Sequence, residues 1–152
     1  MTVTNASDLG HGIEMSNAKV ELYDVSLNGC AWHALSVVSS TSESTLVATR
    51  CEFANSDIGA NVEGSLTSAT FKNCVFNDNS SFGPSIGMYG SDEATIHLHG
   101  EATAIHSNGD TGISAWKSKV IIHLPPHHNT SYNNGNEDRC TVLSGTITNV
   151  ED

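Results

Sequence analysis

His97-Leu98-His99 sets two imidazoles at a period of two, the spacing that sends both side chains out of one face of a β-strand. Alternation makes Ile96 and Leu98 the inward residues. The matching pair Ile122 and Leu124, 26 residues on, is then expected to place His123 beside His97. Three such nitrogens suit Zn²⁺, Cu²⁺ or Ni²⁺ at ~2.0–2.1 Å. Glu101 lies close along the chain, and His106, His127 and His128 fall near neighbouring corners. The competing reading is a solvated histidine patch that holds a divalent metal only incidentally. No resident cofactor is expected.

Tyr89 and Trp116 each follow an inward residue, Met88 and Ala115, so both rings are expected outside on one face. A pyranose can lay its apolar side on such rings while polar neighbours bond its hydroxyls. Exposed aromatics also serve as contacts with another protein chain. Tyr23 and Trp32 are further candidates of the same kind. Arg50 and Lys72 are expected near each other on one face and read as solvated charges. A lyase or epimerase needs a base and a cation to neutralise the substrate carboxylate. Only 6 Lys and Arg are present, which makes such a site hard to assemble. Asp24, Glu52, Asp57 and Glu63 show no pairing at the defined separation that glycoside hydrolysis requires.

The elements that must position these groups are visible in a pattern written twice. Leu46, Ala48, Cys51, Phe53 and Asn55 recur 23 residues later as Ala69, Phe71, Cys74, Phe76 and Asp78. Two short alternating strands joined by a bend cannot bury their inward face alone, so each copy must lie against the next. Val20, Leu22, Val25 and Leu27 match the same template at an offset of 26, and Gly12-Ile13-Glu14-Met15 opens the first turn. A third strand is expected at Leu35/Val37, Ala60/Val62, Ile86/Met88 and Ile113/Ala115. The polar stretches 39–44 and 78–84 are expected to loop out. Regular coils are expected over about 10–124, with a less regular segment over 125–152 beginning at Pro125-Pro126, and no helical period is sustained. The fold class is therefore all-β: a single solenoid domain of about five coils of 22–27 residues, three short strands each.

The 152 residues carry 17 Asp and Glu against those 6 cations, a net charge of −11. That balance excludes nucleic acid and anionic membrane surfaces as partners. Cys30, Cys51, Cys74 and Cys140 follow no metal-binding or redox spacing and read as buried thiols. Sequons at Asn5, Asn79 and Asn129 lean towards an extracellular or cell-surface setting.

The repeated Gly12-Ile13, Ser85-Ile86 and Gly112-Ile113 edges and the Asn corners at Asn28, Asn55, Asn77 and Asn108 resemble the parallel β-helix of the pectin-lyase-like superfamily. Right-handed winding is expected independently, because parallel crossovers are overwhelmingly right-handed. The resemblance implies a structural or binding module, carbohydrate-binding or self-associating, that is part of a longer solenoid or a homo-oligomer. The alternative it implies is a polysaccharide-active enzyme: a lyase, epimerase or hydrolase. Gly10-His11-Gly12 matches a motif of its polygalacturonase branch, but the branch's paired aspartates and Arg-Ile-Lys are missing here, so His11 reads as a corner residue.

Overall fold

The computed structural model describes residues 2–4, 10–80 and 86–151, which wind through three six-stranded parallel sheets with no helix among them. The first sheet stacks β1 (Thr2–Thr4), β4 (Ser26–Asn28), β7 (Glu52–Ala54), β10 (Val75–Asn77), β13 (Ala104–His106) and β16 (Ser131–Tyr132). The second stacks β2 (Ile13–Met15), β5 (His33–Val37), β8 (Ile58–Glu63), β11 (Ile86–Ser91), β14 (Thr111–Trp116) and β17 (Glu137–Val142). The third stacks β3 (Lys19–Tyr23), β6 (Ser44–Thr49), β9 (Thr67–Lys72), β12 (Thr95–His99), β15 (Lys119–His123) and β18 (Thr146–Asn149). Each strand pairs with the strand three places later, so three strands make one turn of a parallel β-solenoid of about five turns.

Inward residues form columns through the stack. Leu27, Phe53, Phe76 and Ile105 make one, and Leu22, Ala48, Phe71, Leu98 and Ile122 another. Both columns are built almost wholly of large apolar residues; the exception is Ala48, which stands beside Phe71 and leaves room for its ring. The Phe53 and Phe76 rings stack at 4.9 Å, and Phe71 meets Phe76 edge-on at 5.1 Å. The doubled pattern read from sequence thus stacks as Leu46 on Ala69, Ala48 on Phe71 and Phe53 on Phe76.

Each turn needs three sharp bends, and single residues in the left-handed region supply them. Asp24, Arg50 and Asn73 take φ of 52, 51 and 53° between the third and first sheets. Asn55, Asp78, Ser107 and Asn133 do the same between the first and second. Asn and Asp tolerate this conformation better than other non-glycine residues, which is why the corners are rich in them.

A row of asparagines also bonds through the stack. Its members are the buried Asn79 and Asn108 and the half-buried Asn134, following Ser56. Each Oδ1 accepts the backbone N–H of the preceding turn, and each Nδ2 donates both to the next side chain and to a strand carbonyl, as Asn108 does to Asn134 at 2.8 Å and to Phe76 O at 3.2 Å. Of the Asn corners noted in the sequence, Asn108 belongs to this row; Asn55 donates to Asn28 of the preceding turn on the exterior, and Asn77 bonds its own neighbour Asp78. Glycines make the room: a Cβ on Gly59, Gly87 or Gly112 would meet the Asn79, Asn108 or Asn134 amide at 2.9, 2.7 or 2.6 Å.

The register of the second sheet differs from the expected one. Met88 pairs with Ala60 and Ile113, and Gly90 with Val62 and Ala115, two residues away from the expected alignment of Ile86 and Met88. A search for apolar pairs passes over Gly90, an inward residue whose site leaves no space for a side chain beside Ile96 and Ser118.

The segment after Pro126 forms the sixth strand of every sheet, including β17, which carries no apolar alternation. Its inward positions are mostly polar: Ile147 packs beside Val120, but Arg139 lies beside Ile113 and Asn149 beside Ile122, and these two side chains bond at 2.9 Å. At the opposite end Ile13, Val20 and Leu22 are only partly buried against the core. The loop before β6 folds over Asn17, whose Oδ1 accepts from the N–H and hydroxyl of Ser42. The sequon at Asn5 and most of the stretch 78–84 lie outside the described residues.

Two outcomes follow from this packing. Phe76→Ala should cost about 3–5 kcal/mol in urea unfolding, because the stacked turns cannot collapse into the space left. No disulfide joins the four cysteines, Cys30, Cys51 and Cys74 are buried, and burial pushes the Cys74 thiol up to about 12. A thiol reagent should therefore count four groups after denaturation without reductant but at most Cys140 in the native protein.

Candidate functional site

Tyr89 and Trp116 line one shallow cleft of about 370 Å³ with Glu63, Ser91, Asp92 and Lys117. They are not direct neighbours, since Tyr89 pairs with Ser114 and the row of Trp116 runs one step beyond the Gly90–Ala115 pair, beside Ser91 and Glu63. Ser91 is buried beside Trp116, which is itself 42 % exposed. Asp92 and Lys117 are corner residues with φ of 49 and 48°, which turns both side chains out at the rim. Burial raises the pKa of the Tyr89 hydroxyl, and the Asp92 and Glu63 carboxylates raise it further, so it remains a donor at neutral pH.

The histidines converge on the third sheet. His99 and His123 are register partners at an offset of 24, where the sequence reading placed His123 beside His97. The true alignment pairs Ile96 with Val120 and Leu98 with Ile122; Val120 is the inward residue that opens β15. The rings nevertheless gather. His99 and His123 stack at 3.9 Å and 12°, and His97 Nδ1 lies 2.9 Å from His123 Nε2. One nitrogen from each ring falls within 4.8 Å of the others, and all three residues are half-buried. Burial, then the His123 charge, lowers the pKa of His97.

A third grouping surrounds the Gly10-His11-Gly12 corner. His11 sits 4.8 Å from His33, 5.9 Å from Trp32 and 3.3 Å from the Glu14 carboxylate. Trp32 is spent as a partner of His33, stacked at 5.8 Å and 18°. Tyr23 donates to Glu21 at 3.0 Å. Arg50 turns away from Lys72 and forks onto Asp24 through two bonds of 2.7 Å.

The chain has no significant match among protein-family models, curated proteins or solved structures. Its chemistry is accordingly read from the geometry. Glu63 was noted in the sequence as an acid without a pair, and its place beside Ser91 was missed because the second sheet's register was displaced by two; Asp92 and Lys117 lie at corners, where alternation carries no signal. With Gly90 counted as inward, Glu63, Ser91 and Trp116 fall into one row.

Burial, aided by the nearby His11 charge, lowers the pKa of His33 from 6.5 to about 4. The unfolded chain then binds a proton at a pH where the folded protein does not, so stability is lost as pH falls from 6.5 towards 4. His33→Phe keeps the ring beside Trp32 and removes the titration. Its melting temperature should fall less than that of the wild type across this window, and parallel curves would refute the assignment.

Proposed function

We propose that this chain is a non-catalytic binding module on a parallel β-solenoid, and that the face carrying Tyr89 and Trp116 takes a polysaccharide. The observation that carries this reading is a solvent-facing indole sharing one cleft with a phenol, two carboxylates and an ammonium group. A sugar ring laid on Trp116 would find donors in Tyr89 and Lys117 and acceptors in Glu63 and Asp92. The two carboxylates favour neutral, hydroxyl-rich chains over polyuronates, which they would repel. Kinship with the pectin-lyase-like superfamily and right-handed winding belong to the same proposal, supported by the three-strand turn and the asparagine ladder. So does membership of a longer or self-associating assembly, supported by the partly exposed Ile13, Val20 and Leu22 at one end.

A polysaccharide-active enzyme is the second reading, favoured by Glu63 and Asp92 lining the same cleft as the aromatics. Affinity electrophoresis against a panel of neutral and uronic polysaccharides separates the two. Retardation by a neutral polymer that Trp116→Ala abolishes, and Tyr89→Ala weakens at least about tenfold, is the expected result. Release of reducing ends or unsaturated sugars would establish the enzyme. Retardation unchanged in both variants would remove the site.

A further inference from the structure

We propose that His97, His99 and His123 form a surface site for one divalent late first-row transition metal, with copper(II) held more tightly than nickel(II) or zinc(II). Imidazole is the ligand these ions share, and three rings converging from two adjacent strands supply three nitrogens. The scaffold is rigid where it matters. Ile96, Leu98 and Ile122 alternate with the histidines and are wholly buried, so β12 and β15 cannot slide or rotate without opening the core. The rings themselves are half-buried, which leaves a path for the ion and room for water at its remaining positions.

Two of the nitrogens already approach within the span of a single ion. Two nitrogens bound at ~2.0–2.1 Å lie about 2.9 Å apart when they subtend a right angle at the metal, and about 3.4 Å apart in a tetrahedron. His97 Nδ1 and His123 Nε2 stand at 2.9 Å. The proton shared across that contact moves to the far nitrogen of the ring that carries it, so both facing nitrogens become ligands without a change in net charge. The remaining pairings, all within 4.8 Å, close by side-chain rotation. By register, Thr70 flanks His97, and Lys72 flanks His99 as the nearest cation on the adjoining strand. His127 and Glu151 share a hollow with His123 and are the groups that would compete for the same ion.

Isothermal titration of the full chain with Cu²⁺, Ni²⁺ and Zn²⁺, with electron paramagnetic resonance of the copper form, tests the site. One Cu²⁺ per chain is expected, with nitrogen splitting from three rings. His97→Ala, His99→Ala and His123→Ala should each weaken it at least about tenfold, while His127→Ala leaves it unchanged. Circular dichroism of each variant should match the wild type, since the replaced rings lie outside the core. Undiminished binding in any of the three variants, loss in His127→Ala, or zinc bound more tightly than copper would overturn the assignment.

Discussion

The structure depends on burying the backbone where the first sheet bends into the second. At that bend the chain leaves one ladder before joining the next, and its N–H and C=O groups would otherwise sit unpaired beside the core. Asn79, Asn108 and Asn134 resolve this by standing in for a strand: each amide accepts from one turn and donates to another and to the strand below. The network is fully connected, the condition under which a buried polar row is stabilising. It requires that Gly59, Gly87 and Gly112 carry no side chain, and so it also fixes where the second sheet begins.

That dependence explains what could be read in advance. The Leu46 to Phe76 repeat was legible because both copies place large apolar residues at equivalent inward positions. The third strand of each turn was legible in existence but not in register, since Gly90 fills an inward slot without an apolar side chain. Of the asparagine corners, exterior and buried members look alike in sequence; only pairing tells Asn77, bonded to its neighbour Asp78, from Asn79, bonded through the stack. β17 was invisible because Arg139 and Thr141 occupy inward positions where a search expects leucine or valine.

The two surface groupings were legible to different depths. Alternation alone sent His97, His99, Tyr89 and Trp116 outward. Which residues stand beside them is a matter of register, and an error of two residues exchanges one set of neighbours for another. The histidines tolerated that error, because a ring reaches diagonally to the next strand as easily as straight across. The cleft did not: Glu63 stood as an acid without a neighbour until its register with Ser91 put it beside Trp116.

The turns differ in contour length while their cores do not. Glu52 and Val75 are register partners across 23 residues, and Val75 and Ala104 across 29, yet Phe53, Phe76 and Ile105 stack in one unbroken column. Extra residues are absorbed at corners, outside the ladder. The scaffold is therefore addressable in a way a globular core is not. A foreign peptide spliced into such a corner would be displayed at a fixed height on the stack, and two in successive turns would sit ~4.8 Å apart along its axis. Epitopes or ligand groups could be arrayed at that pitch without redesigning a single interior residue.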